Sequence, residues 1–139
     1  MDELIELDLA RVVLQEKGDN QYLHLREKAG ERSFPILIGF TEAAEINRKL
    51  RGTQMPRPMT HDLIGRVLES TGWTLRHVVI NELRETTFFA QLVLGHTGAT
   101  GQQEERLVDC RPSDAIALAV QAKAKIFVAR KVLDLVAPG

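Results

Sequence analysis

Apolar positions in the first part of this chain follow a strand-like alternation and then change to helical spacing, and the change recurs in the second half. Residues 3–15 alternate loosely through Leu4, Ile5, Leu7, Leu9, Val12, Val13 and Leu14, the pattern of a long strand. Gly18-Asp19-Asn20 is a turn signal, and Tyr22, Leu23 and Leu25 return as a hairpin partner over residues 21–26. A second turn near Gly30 leads into Phe34-Pro35-Ile36-Leu37-Ile38, a third strand that Pro35 restricts to an edge or a strand start. Thr41 is expected to cap a helix reaching about Leu50, with Ala43, Ala44, Ile46 and Leu50 on its apolar side and Gly52 as its stop.

Pro56-Arg57-Pro58 follows as a stiff extended connector, because each proline fixes its own φ and biases its predecessor away from the helical region. Thr60 is read as the cap of a second helix over 61–71, in which Leu63, Ile64, Val67 and Leu68 form an i, i+3/i+4 stripe and Gly72 is the stop. Three strands are predicted next, over 73–83, 87–95 and 104–110, the last two joined by a glycine-containing loop over 95–103. Pro112 opens a third helix that is apolar or small on nearly every face, so it should be buried. Ile126-Phe127-Val128 is a short strand, and 131–135 a final helical turn or two.

The class implied is α+β: a single domain over 1–139, a mostly antiparallel mixed sheet and about four helices. Ile36-Leu37-Ile38-Gly39-Phe40-Thr41-Glu42-Ala43-Ala44 and Val108-Asp109-Cys110-Arg111-Pro112-Ser113-Asp114-Ala115-Ile116 share a shape, each following a hairpin. That pairing is compatible with a degenerate three-strands-then-helix duplication, although capping rules alone generate similar matches.

Totals narrow the function less than the pattern narrows the fold. The chain has 139 residues and a net charge of −1, so no global field draws it to nucleic acid. Locally, residues 48–66 hold five basic side chains (Arg48, Lys49, Arg51, Arg57, Arg66) against the single acid Asp62, a field that suits a phosphodiester or merely a solvated face. No apolar stretch approaches a membrane span and the first residues are acidic, so a cytoplasmic protein without a membrane partner is expected. The single cysteine, Cys110, fits a reducing compartment and reads as a small strand residue.

Two polar clusters sit at predicted helix starts. In the first, Asp109, Arg111, Ser113 and Asp114 stand where backbone N–H groups lack intrahelical acceptors. In the second, Arg57, Thr60, His61 and Asp62 share a junction at which a histidine cation would oppose the helix dipole, favouring a neutral ring able to act as base or ligand. Each cluster has a plainer reading: Asp114 as a favourable first-turn acid, and Arg57 and Arg111 as ion-pair partners of nearby acids. Glycine-rich phosphate loops, nucleophile elbows, His-Glu-x-x-His and Cys-x-x-Cys are absent from the sequence, as is an aromatic-rich strand face. His24, His77 and His96 stand alone and read as structural.

Taken together, Phe34-Pro35-Ile36-Leu37-Ile38-Gly39 with Glu42-Ala43, Arg57-Pro58-x-Thr60-His61-Asp62-Leu63, Thr87-Phe88-Phe89-Ala90, and Asp109-x-Arg111-Pro112-Ser113-Asp114-Ala115-Ile116-Ala117-Leu118-Ala119 resemble the bifunctional nuclease domain family over nearly the whole chain. The family often has tyrosine where this chain has Phe89, so one hydroxyl is missing here. The resemblance implies hydrolysis of DNA and RNA phosphodiester bonds and a homo-oligomer.

On that footing a metal-assisted mechanism is expected. Asp109 and Asp114, with Glu42 or Asp62, would hold Mg²⁺ or Mn²⁺; His61, Asp62, Asp109 and Asp114 would form the catalytic set. Arg57 and Arg111 would clamp phosphate, and Thr60 and Ser113 would orient the helix starts. The rival is a non-catalytic oligomeric binding module, favoured by the near-zero charge, the missing stacking surface and the lack of a well-characterised nuclease motif.

Overall fold

The computed structural model describes residues 3–15 and 21–139. Its elements are β1 (Leu4–Val13), β2 (Gln21–Glu27), β3 (Ser33–Ile38), α1 (Phe40–Leu50), α2 (Thr60–Thr71), β4 (Thr74–Arg84), β5 (Thr87–Thr97), β6 (Gln103–Cys110), α3 (Pro112–Ala122), β7 (Lys125–Ala129) and α4 (Arg130–Val136). The turn read at Gly18-Asp19-Asn20 lies outside the described residues.

One mixed sheet runs in the order β3-β2-β1-β7-β4-β5-β6. Two antiparallel meanders, β1–β2–β3 and β4–β5–β6, flank β7, which pairs antiparallel with β1 and parallel with β4. The architecture is the α+β single domain that the pattern implied. Each meander leads into a helix, α1 after β3 and α3 after β6.

The β6–α3–β7 connection explains why α3 is central. A strand that returns parallel within one sheet needs a crossover, and the helix in that crossover lies across the intervening strands. Accordingly α3 packs over β4 and β5, with α1 and α2 against its outer side. Seven of its eleven residues are buried, which is why its sequence is apolar on every face rather than along one stripe.

The core joins Leu23, Leu25, Phe34 and Ile36 from one meander to Val78, Ile80, Ala90 and Leu92 from the other, through Ile116 and Val128. Phe34 and Phe88 stack with ring centroids 6.0 Å apart. Since β3 ends the strand order and β5 is next to its opposite end, the sheet curls around α3. That curl creates a cavity between β3, the β4–β5 hairpin and the start of α3.

Local signals placed most boundaries well. Gly72 stops α2 at φ 81°, a conformation glycine reaches without Cβ strain. Pro112 takes the first helical position of α3, where the missing N–H leaves nothing unsatisfied. The caps assigned to Thr41 and Thr60 are displaced by one or two residues: Gly39 and Met59 hold those positions, and both threonines are already helical. At α2 the capping is supplied from inside the helix, by Asp62 accepting the Met59 N–H at 2.8 Å. The loop predicted over 95–103 is shorter, because β5 continues to Thr97 and β6 begins at Gln103.

Candidate active site

The two polar clusters converge. His61 lies in the first turn of α2 and Asp114 in the first turn of α3, and His61 Nε2 is 3.0 Å from Asp114 Oδ1. The contact follows from packing α2 against α3, which also lets Gln121 donate to the His61 backbone carbonyl at 3.0 Å.

Arg111 is the residue immediately before α3, with an extended backbone. Its guanidinium folds back over the first turn and forks onto Asp114, with Nε 2.9 Å from Oδ2 and Nη2 3.1 Å from Oδ1. Nη1 reaches Glu42 Oε2 at 3.2 Å, tying the start of α3 to the start of α1. Glu42 can fold back over its own helix start because Gly39 has no Cβ; an added one would lie 2.2 Å from Glu42 Oε1. The Arg111 side chain is 63% exposed, and exposed ion pairs contribute only about 0.2–1 kcal/mol. The arginine is therefore held lightly enough to take another anion.

Asp114 feels opposing influences. Burial is the largest and raises its pKa, but hydrogen bonds from Arg111 and His61, with the charges behind them, together outweigh it and hold the carboxyl below its ordinary value. The same contacts, led by the hydrogen bond to Asp114, push the Arg111 pKa up.

Behind His61 lies a second network. His61 Nδ1 is 3.8 Å from Glu45 Oε1, and Glu45 accepts a two-point contact from Arg48, at 3.0 and 2.7 Å. Lys49, only 5% exposed, donates to Asp62 Oδ1 at 2.8 Å and to Gln121. Arg48 also reaches Asp62 Oδ2 at 3.2 Å. The Lys49 hydrogen bond is the main reason that the Asp62 carboxyl is held down at about 2, with the Met59 N–H and the charges of Lys49 and Arg48 adding. Glu45 is lowered chiefly by its hydrogen bond from Arg48.

The structure thus brings Glu42, His61, Arg111 and Asp114 into one chain of contacts, with Ser113 between two of its members and Asp62 in the network behind. It does not bring Arg57, Thr60 or Asp109 into that chain. Arg57 is exposed beside a polar cavity of about 660 Å³ lined also by Arg66 and Lys123, and its suspected partner Asp62 pairs with Lys49 and Arg48 instead. Thr60 makes no side-chain hydrogen bond among the described residues. Asp109 is exposed on β6, on the face opposite Cys110, which packs toward the core.

Among the described residues, no three His, Cys, Asp or Glu side chains gather as a metal-holding group. Glu42 and Asp114 already share the Arg111 cation, and Asp109 stands apart from both. The set Glu42, Asp109 and Asp114 in this arrangement does not fit Mg²⁺ or Mn²⁺.

Glu45, Arg48, Lys49 and Gln121 were not visible as site residues in the sequence. The only signal was the i, i+3 and i, i+4 spacing of Glu45, Arg48 and Lys49 along α1, which is also the spacing of an ordinary surface ion pair. Part of the basic run over 48–66 is therefore spent internally. Of the isolated histidines, His77 sits edge-on to Phe127 and is lowered by burial, and His96 donates from Nδ1 to the Gly72 carbonyl at 2.8 Å. Burial pushes the Cys110 thiol up to about 12, which disfavours the thiolate.

The bifunctional nuclease domain model matches residues 23–137, and the chain belongs to that family. An uncharacterized protein of Mycobacterium tuberculosis is 35% identical over 128 residues, covering 92% of this chain and 73% of that protein. Bifunctional nuclease 1 of Oryza sativa subsp. indica is 28% identical over 106 residues, covering 76% of this chain and 31% of the plant protein. Bifunctional nuclease 1 of Arabidopsis thaliana is 28% identical over 94 residues, 68% of this chain and 28% of its own length. The chain spans less than a third of either plant nuclease.

Proposed function

We propose that this domain binds and hydrolyses nucleic-acid phosphodiesters at the meeting point of α2 and α3. The observation that carries the reading is the 3.0 Å contact between His61 and Asp114, with the exposed Arg111 guanidinium on the same carboxylate. The plant relatives named as nucleases support it.

In this reading Arg111 takes the non-bridging phosphate oxygens, helped by the amides of Ser113 and Asp114, which have no intrahelical acceptor at the first turn of α3. Asp114 orients His61 through Nε2; Nδ1, which faces Glu45 Oε1 at 3.8 Å, is the ring atom left to exchange a proton with the attacking water or the leaving oxygen, so that water has to enter between His61 and Glu45. Lys49 and Arg48 hold Glu45 and Asp62 ionised behind the ring. The nucleic acid partner and the reaction rest on the same reading.

A second reading has its own support. His61 is 13% exposed, and both Asp114 oxygens are already engaged, as in a network that fixes helix packing for a binding module. The deciding experiment is cleavage of single-stranded and duplex DNA and RNA by highly purified wild type, Asp114→Asn and Asp109→Asn, each with Mg²⁺, Mn²⁺ or chelator. A loss of about 10²-fold or more for Asp114→Asn, with folding intact by circular dichroism, is the expected result. Equal cleavage by wild type and Asp114→Asn removes His61–Asp114 from the reaction.

A further inference from the structure

The curl of the sheet leaves a cavity of about 800 Å³ whose lining includes Arg111, Ser113 and Glu42 but not His61. Three elements meet there: the free edge of β3, the tip of the β4–β5 hairpin and the start of α3. Its walls are of two kinds. Pro35, Leu37 and Phe88 give an apolar slot, open at Leu37, which is 71% exposed. At the other end lie Arg111, Ser113 and Glu42, with Glu85 and Thr87 on the hairpin side.

Ser113 is the unusual member. It is 94% buried by residue (6% exposed), lines the cavity, and its hydroxyl has no hydrogen-bond partner among the described residues. Among the described residues Asn81 Oδ1 is the one fully enclosed side-chain polar atom without a partner; the Ser113 hydroxyl keeps an opening onto the cavity it lines and meets whatever enters there. It stands beside the amides at the N-terminus of α3, an eleven-residue helix whose dipole favours an anion.

Resting on the function proposed above, we infer that this cavity is a one-nucleotide subsite. The phosphate seats on Arg111, the Ser113 hydroxyl and the first amides of α3. The base lies in the slot of Pro35, Leu37 and Phe88, and the Glu85 carboxylate accepts from sugar or base donors. The volume falls within the range of pockets that take small molecules and cofactors. Charge sets one condition. Glu42 occupies Arg111 Nη1 at 3.2 Å, so an incoming phosphate displaces that carboxylate while the Asp114 fork stays in place. Glu42 is thus a competitor for the phosphate position.

The test is equilibrium binding by calorimetry, with adenosine monophosphate, adenosine, inorganic phosphate and a 5′-phosphorylated tetra-adenylate as probes and chelator present to suppress cleavage. The monophosphate should bind at least tenfold more tightly than adenosine or phosphate. Ser113→Ala should weaken the monophosphate about fivefold and leave adenosine unchanged. Glu42→Gln should tighten the monophosphate, and Leu37→Ser, at an exposed position, should weaken monophosphate and adenosine alike. A tetra-adenylate that binds as well as the monophosphate marks a strand end as occupant; its exclusion marks a free nucleotide. No binding of the monophosphate, or binding indifferent to Ser113→Ala and Glu42→Gln, overturns the subsite. Binding that follows these variants in a protein without cleavage activity would reject hydrolysis and keep the subsite.

Discussion

His61 Nε2 lies 3.0 Å from Asp114 Oδ1, across 53 positions of chain. The pair joins the first turns of two helices that meet only because α3 crosses the sheet between β6 and β7 and α2 packs on its outer side. Arg111 donates to the same oxygen, so the carboxylate is shared by an imidazole and a guanidinium.

Sharing of this kind makes energetic effects non-additive. His61→Ala and Asp114→Asn should each lower stability by about 1–3 kcal/mol, because each leaves a part-buried polar group without its partner. The double variant should cost less than the two together by about 0.5–3 kcal/mol. Urea unfolding of the four proteins measures this, and strict additivity would mean that the contact carries no energy.

Asp62 should make stability fall in acid. Its carboxyl is lowered from 3.8 to about 2, chiefly by the Lys49 hydrogen bond, so the folded state binds its proton less readily than the unfolded chain does. The stabilisation is complete above about 3.8 and is lost as pH falls through about 2. Melting temperature against pH should therefore drop over this window, and Asp62→Asn should be less stable than wild type at neutral pH but equal to it near pH 2. A constant difference across the window would show that Asp62 is not the titrating group.

Cys110 should be inert in the native protein. Burial is the main cause of its raised pKa, and the charges of Asp114 and Asp109 add to it, so almost no thiolate exists at pH 8. Mass spectrometry after iodoacetamide treatment should find Cys110 unmodified in buffer and fully modified in urea. Rapid native alkylation would place the thiol in a more open setting than the end of β6 provides.

Much of the fold was legible because its signals are local. Gly72 and Pro112 mark helix ends through their own backbone chemistry, and Pro35 correctly excluded β3 from the middle of the sheet. The caps were misread at Thr41 and Thr60 because a threonine before an apolar run resembles a cap whether it precedes the helix or begins it. Of the site, the two clusters were visible as unusual concentrations of polar types. Their joining was not, nor was the exclusion of Arg57 and Asp109, because no spacing rule links residues on separate helix starts and strand faces.

By itself the amino-acid order determined the strand and helix inventory, the burial of α3 and the family, and it marked Glu42, Arg57, Thr60, His61, Asp62, Asp109, Arg111, Ser113 and Asp114 as the groups to watch. Each of these depends on period, capping or motif within a few residues. Only the tertiary structure decided that His61 meets Asp114, that Lys49 and Arg48 hold Asp62, and that an unpartnered Ser113 faces a cavity. Those outcomes depend on a sheet that curls until Phe34 stacks on Phe88, a closure set by the packing of the whole core around α3.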